Sequence, residues 1–143
     1  MTTIGQGAGG TPMAEAGPGA TFLHFDDIDW AGAGAAVPSA PKELVEAARK
    51  TGARQKRMVT GDRGFYMNHN VMPAGFSVPT HVHDHDELIV VLEGGCTVLD
   101  GGPTMGANDA VVIEAHHAYG FTCGPEGMRF LTIRTGEAGF ATA

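Results

Sequence analysis

Three side chains in one short stretch have the types and spacing to hold a metal ion. The stretch is GFSVPTHVHDHDE (75–87), followed by an apolar run that closes at Gly94. In an extended strand, residues two apart share a face, so the imidazoles of His81 and His83 project together. Glu87 opens the next strand after a tight turn through Asp84, His85 and Asp86, which brings a carboxylate back beside them. Two imidazoles and one carboxylate on adjacent strands make a facial site for a divalent transition metal, namely Fe, Mn, Ni, Co, Cu or Zn. For zinc such bonds run about 2.0–2.2 Å. The open positions would admit a small organic molecule. All of this requires both imidazoles to face the inside of a closed sheet.

The rest of the chain has to build that sheet. It has 143 residues, of which 43% are apolar, enough for one domain with a real core and no disulfide staples. Nine Lys and Arg against 16 Asp and Glu give a net charge of −7, which argues against nucleic acid and anionic membranes as partners. No apolar run approaches membrane length, and residues 1–20 show neither the charged start nor the apolar core of a secretion signal. Cytoplasmic residence is therefore expected. Cys96 and Cys123 lack CxxC spacing and are expected to be reduced and structural.

Residues 1–20 are rich in Gly and Ala and poor in large apolar side chains, which predicts a disordered tail. Residues 21–143 are expected to form a single domain. Within it, TFLHFDDIDW (21–30) reads as a short strand or docked arm, and 31–41 as a linker. One helix is expected over 41–54. Leu44, Ala47, Ala48 and Thr51 lie on one of its faces, Ser39 suits its N-cap, Glu46 and Lys50 form an i,i+4 pair, and Gly52 marks its stop. From about 55 to 135, short runs rich in Val, Ile, Phe, Tyr and Thr alternate with Gly and Pro turns, which predicts an all-β barrel or sandwich. ELIVVLE (87–93) is apolar on consecutive positions, the pattern of a strand covered on both faces, and EGG after it reads as a hairpin turn.

The stretch from Gly75 to Gly94 resembles the first motif of the cupin superfamily, G-x5-H-x-H-x3-E-x6-G, and every fixed residue is present: Gly75, His81, His83, Glu87 and Gly94. The resemblance implies a small jelly-roll barrel, metal ligation by His81, His83 and Glu87, and pairing into a homodimer, with 21–30 as the candidate contact. The second motif is represented by NDAVVIEAHHAYGF (108–121), which departs from the family pattern. Asn108 stands for a glycine, Glu114 for a proline, His116 for the turn glycine, Ala118 for the second proline, and Tyr119 for the third metal-binding histidine.

Three readings are open for Tyr119: a phenolate ligand, a proton-transfer group beside a three-ligand metal, or a core tyrosine in a site without metal. His117 is a possible replacement ligand. His85 reads as a turn residue outside the ligand set, His116 as solvent-facing, and His24 and His69 as ordinary packed or surface residues. Asp84, Asp86 and Asp109 read as turn formers. Phe65, Met67, Met72, Phe76, Phe121, Phe130 and Leu131 read as core or pocket lining. The function expected is a metal-dependent enzyme on a small organic molecule, of dioxygenase, lyase or isomerase type, with Tyr119 as its catalytic group. The alternative is a non-catalytic ligand-binding cupin with a degenerate or empty metal site.

Overall fold

A computed structural model describes residues 2–3, 14–17, 19–34, 39–99, 101–136 and 141–142. Twelve strands and one α-helix make up its regular structure: β1 (Thr2–Thr3), β2 (Ala14–Gly17), β3 (Ala20–Leu23), β4 (Ala31–Gly32), α1 (Lys42–Thr51), β5 (Arg54–Thr60), β6 (Tyr66–Met72), β7 (Ser77–Val82), β8 (Glu87–Val98), β9 (Thr104–Gly106), β10 (Ala110–Ile113), β11 (Tyr119–Arg134) and β12 (Ala141–Thr142). Within the segment expected as a tail, β1 and β2 pair with each other, and β2 pairs with β3. The other residues of 1–18 lie outside the described residues.

Two long strands organise everything else. The first part of β8 (87–94) and the last part of β11 (128–134) pair in one layer, with β10 beside β8 and β6, β5 and β4 beyond β11. The other ends of the same two strands, Cys96–Val98 and Tyr119–Cys123, cross into a second layer with β7 and β9. This is a small all-β jelly-roll barrel, in which two antiparallel sheets share strands and enclose a core. EGG is therefore not a hairpin turn. It is the bend at which β8 changes sheets. Gly94 has φ 70°, and a Cβ there would stand 2.1 Å from the Gly127 carbonyl oxygen, so the strands cross too closely for any side chain. CGPEG is likewise a bulged interruption within β11, between Cys123 and Met128.

The inner faces follow the period of two. Glu87, Ile89 and Val91 of β8 are buried, as are Met128, Phe130, Thr132 and Arg134 of β11. ELIVVLE is covered on one face only, because Leu88 and Val90 are half-buried on the outer side and Leu92 is exposed. Phe65 is also exposed, at 55%, rather than in the core, and Val112 is 72% exposed on the edge strand β10.

The helix seats Leu44 and Ala48 in the core. Its N-cap is Pro41, not Ser39, which lies two residues too early, and Glu46 pairs with Arg49 instead of Lys50. Gly52 ends the helix in the left-handed conformation, at φ 82°. Phe25 and Trp30 are held to the outer face of β5 and β6, after which β4 joins the edge of β5 and Ala33 enters the core. On that outer face the Lys56 ammonium lies 3.6 Å from the Phe25 ring centroid and donates to the Phe25 carbonyl at 2.7 Å, while Arg54 stacks over Trp30.

Candidate metal and ligand site

The first motif works through backbone detail. Phe76 N–H bonds the Pro73 carbonyl, and Gly75 takes φ 73° between them, as the third residue of this tight turn requires. Strand β7 then carries an irregularity. Tyr119 opposes His81, yet Phe121 opposes Val78, so β7 has three steps where β11 has two. Such a bulge resets the alternation, and Val78 and His81, three residues apart, both become buried. Pro79 sits in the irregular stretch, where its missing N–H is no loss. Its carbonyl accepts a hydrogen bond from His81 Nδ1 at 2.7 Å. That bond fixes the tautomer and leaves the Nε2 lone pair facing inward.

His83 is buried beside His81, with the two Nε2 atoms 3.0 Å apart. Glu87 is 2% exposed, and neither of its oxygens is bare. Tyr119 Oη donates to Oε1, and Arg134 Nη1 donates to Oε2 at 2.6 Å. The Tyr119 ring lies 4.7 Å from the His81 ring and 6.0 Å from that of His83. His81, His83, Glu87 and Tyr119 thus line one cavity in the barrel, as an imidazole pair and a carboxylate–phenol pair. Burial, and after it the Glu87 charge and hydrogen bond, hold the Tyr119 phenol well above its usual pKa. It is a protonated donor in this arrangement. Burial also lowers the His81 pKa, with the neighbouring His83 adding to the effect, and this outweighs the raising influence of the Pro79 carbonyl and Glu87.

The four line a cavity of about 80 Å³ that also includes Gln55, Asn68, Asn70, Thr132 and Arg134, with Leu44 of the helix on its wall. Sequence reasoning did not single out Arg134. The signal was parity: it shares a face with Phe130 and Thr132, and an arginine on the inward face of an apolar strand calls for a buried partner. A second, larger cavity of about 720 Å³ lies under β8, β9 and β10, lined mainly by apolar side chains. Tyr119 and Phe121 line both cavities.

His117 is exposed and lines the larger cavity, away from the two imidazoles. His116 is exposed, with φ 65°, and Asn108 has φ 73°. Both therefore take the backbone conformation of the glycines they stand for. His85 bonds Asp84 at 2.6 Å in the turn. His69 packs on Phe25 and Trp30 outside the barrel and accepts from Arg129 Nη1 at 2.9 Å. Asp86 and Asp109 accept backbone N–H bonds from Ala115 and Gly106, each at 2.8 Å. Cys96 and Cys123 are buried free thiols on directly opposed positions of β8 and β11.

Two donors bound at about 2.1 Å and at right angles stand about 3.0 Å apart, which is the spacing of the imidazole nitrogens. A carboxylate has about four lone-pair sites, so Glu87 can keep Tyr119 and Arg134 and still offer an oxygen to a cation. The donor set fits in type and in imidazole spacing. Among the described residues, no group of three or more His, Cys, Asp or Glu is placed so that it could hold a metal ion, so the imidazole pair fits by itself and Glu87 would have to shift to complete the set.

A two-sheet jelly roll whose shared strands enclose a histidine- and carboxylate-lined cavity defines a class of small-molecule barrels. Residues 68–134 match the family model described as "Cupin domain". The fold resembles the polyketide cyclase RemF from Streptomyces resistomycificus, with TM-score 0.61, 21% identity, and coverage of 81% of this chain and 79% of that one. It also resembles KdgF from a Halomonas species, with TM-score 0.59, 17% identity, and coverage of 82% and 96%. A third similar structure is an uncharacterised protein with a double-stranded β-helix domain from Klebsiella pneumoniae, with TM-score 0.53, 23% identity, and coverage of 62% and 84%. No curated protein matches the chain. Residues 68–134 are therefore a cupin domain. Among the described residues no helix is long and apolar enough to cross a membrane.

Proposed function

We propose that this protein is a metal-dependent enzyme acting on a small organic molecule inside its barrel, with His81, His83 and Glu87 holding a divalent transition metal and Tyr119 handling a proton. The observation that carries this reading is the placement of the two imidazoles, the buried carboxylate and the tyrosine hydroxyl on the wall of one small cavity. When bound, the ion would supply Lewis-acid polarisation of a substrate oxygen. The chain's own residues do the rest. Pro79 holds the His81 ring, Arg134 balances the Glu87 charge, and Glu87 aims the Tyr119 hydroxyl. Tyr119 has one O–H, which is directed at Glu87, so it would give its proton to an atom that gains negative charge only after exchanging that hydrogen bond for one to the substrate. Val78, Phe121 and Phe130 keep water from the reacting group. Of the reaction types considered, lyase or isomerase chemistry agrees best with a tyrosine held as a donor. The fold likeness to a polyketide cyclase is in keeping with a small organic substrate.

A second reading is favoured by one specific observation: both Glu87 oxygens already have partners. On that reading the protein is a non-catalytic ligand-binding cupin without metal. Elemental analysis of protein purified without a histidine tag separates the two. About one equivalent of a transition metal, reduced at least tenfold in Glu87→Gln and retained in Tyr119→Phe, supports the enzyme; metal below one tenth of an equivalent after reconstitution rejects it.

A homodimer belongs to the same proposal. Phe25 and Trp30 are engaged with the chain's own sheet, whereas Leu92 and Val112 remain exposed. Light scattering that returns 14.8 kDa instead of twice that mass would exclude it.

A further inference from the structure

The two cavities differ in size and in the charged residues they hold, and Tyr119 and Phe121 line both. The smaller, about 80 Å³, has room for two or three waters at about 30 Å³ each. It can take a head group but not a whole metabolite. Its wall holds Arg134, whose side chain is 6% exposed and whose Nε–H is buried with no hydrogen-bond partner. A guanidinium N–H without an acceptor is rare in a folded interior. The one acidic group on this wall, Glu87, is already matched by the same guanidinium. The guanidinium thus lines the cavity with hydrogen-bonding capacity that the chain's own acceptors leave unused, and the Glu87 charge beside it is balanced.

The larger cavity, about 720 Å³, lies within the range of small-molecule pockets. Ile89, Cys96, Val98, Met105, Val111 and Met128 give it apolar walls. Asp109, Glu114 and His117 also line it, but all three are exposed, where solvent and salt screen their charge.

Resting on the reading of the barrel as a small-molecule site, we propose that its ligand is an amphiphilic acid. The anionic oxygen head (carboxylate or enolate) is accepted by Arg134, and the apolar body, of ring size or larger, lies in the β8–β10 cavity. Tyr119 stands where head and body join. A molecule laid out this way presents the carbon next to its acidic head to the Tyr119 hydroxyl. Arg134 anchors the ligand in this arrangement, and the β8–β10 wall selects for its body.

Binding to chelator-treated, metal-free full-length protein tests this without reference to activity. Three probes are compared by calorimetry: 2-naphthoate, its neutral analogue naphthalene-2-methanol, and acetate. The expectation is that 2-naphthoate binds at least tenfold more tightly than either of the others. Glu87→Gln with Arg134→Met, which removes both charges of the buried pair together, should bring naphthoate down to the level of the alcohol. Val111→Trp, which fills the larger cavity from its edge strand, should weaken naphthoate and the alcohol alike and leave acetate unchanged. Equal binding of naphthoate and the alcohol overturns the anchor. Equal binding of naphthoate and acetate overturns the apolar subsite, and no binding of any probe overturns both. Because metal is absent throughout, these results are independent of the elemental analysis that decides the metal reading.

Discussion

Replacing Arg134 by Met would leave the Glu87 carboxylate, 2% exposed, with only the Tyr119 hydroxyl as partner. Breaking a buried ion pair from one side costs about 3–5 kcal/mol, because the remaining charge keeps its desolvation penalty. The same substitution also removes the unsatisfied Nε–H, which returns about 1 kcal/mol. The net expected loss is about 2–4 kcal/mol at neutral pH. At about 3 °C per kcal/mol for a chain of this size, Tm should fall by roughly 6–12 °C. Adding Glu87→Gln removes the stranded charge and should restore at least half of the loss. Urea unfolding of the four proteins of this double-mutant cycle gives the coupling directly. If Arg134→Met costs under about 1 kcal/mol, or if the double variant is no more stable than the single one, then the pair is not closed to water and the description of the site is wrong.

Other expectations are briefer. Gly94→Ala would set a methyl 2.1 Å from the Gly127 carbonyl oxygen and should abolish soluble expression; Gly75→Ala, with nothing within 4 Å, should cost only the 1–2 kcal/mol of a left-handed residue, roughly, in thermal melts. Burial lowers the pKa of His69, which Arg129 and Lys56 lower further, and burial also lowers that of His81, so their folded forms resist protonation. Their contribution is complete above the unfolded pKa of about 6.5 and is lost as pH falls below it through the lower folded values, so Tm should decline as pH falls below about 6.5, less steeply in His69→Gln. Burial pushes the Cys123 thiol up to about 12, and the Cys96 thiol is also raised, so a thiol reagent at pH 8 should label neither in the native protein and both in urea.

Local spacing made much of this legible. Gly, His-x-His and Glu at fixed offsets located the site because each offset is a backbone requirement: a turn at Gly75, one imidazole on β7 and a second just past its end, and a strand crossing at Gly94. Even where the second motif departs from the family, Asn108 and His116 take the positive φ of the absent glycines. What was not legible depended on distant partners. No local pattern marks the change of sheet within β8 and β11, because Cys96–Val98 is specified by strands on either side of it. Two-face coverage of ELIVVLE was a fair reading of its composition, but no described element of the chain lies over Leu92. Arg134 was passed over because its meaning lies 47 residues away, at Glu87. His117 has the right chemistry in the sequence and the wrong location in the fold.

Strand β11 begins at Tyr119 and ends at Arg134, and these two residues grip the two oxygens of a single carboxylate. The strand crosses both layers of the barrel and is fastened at each end to the same side chain, like a belt buckled on one pin. Separating the two layers at this end would release both fastenings together. Amide exchange at the ends of β11 should therefore be as slow as at its middle, where strand ends ordinarily fray, and Glu87→Gln should loosen both ends together.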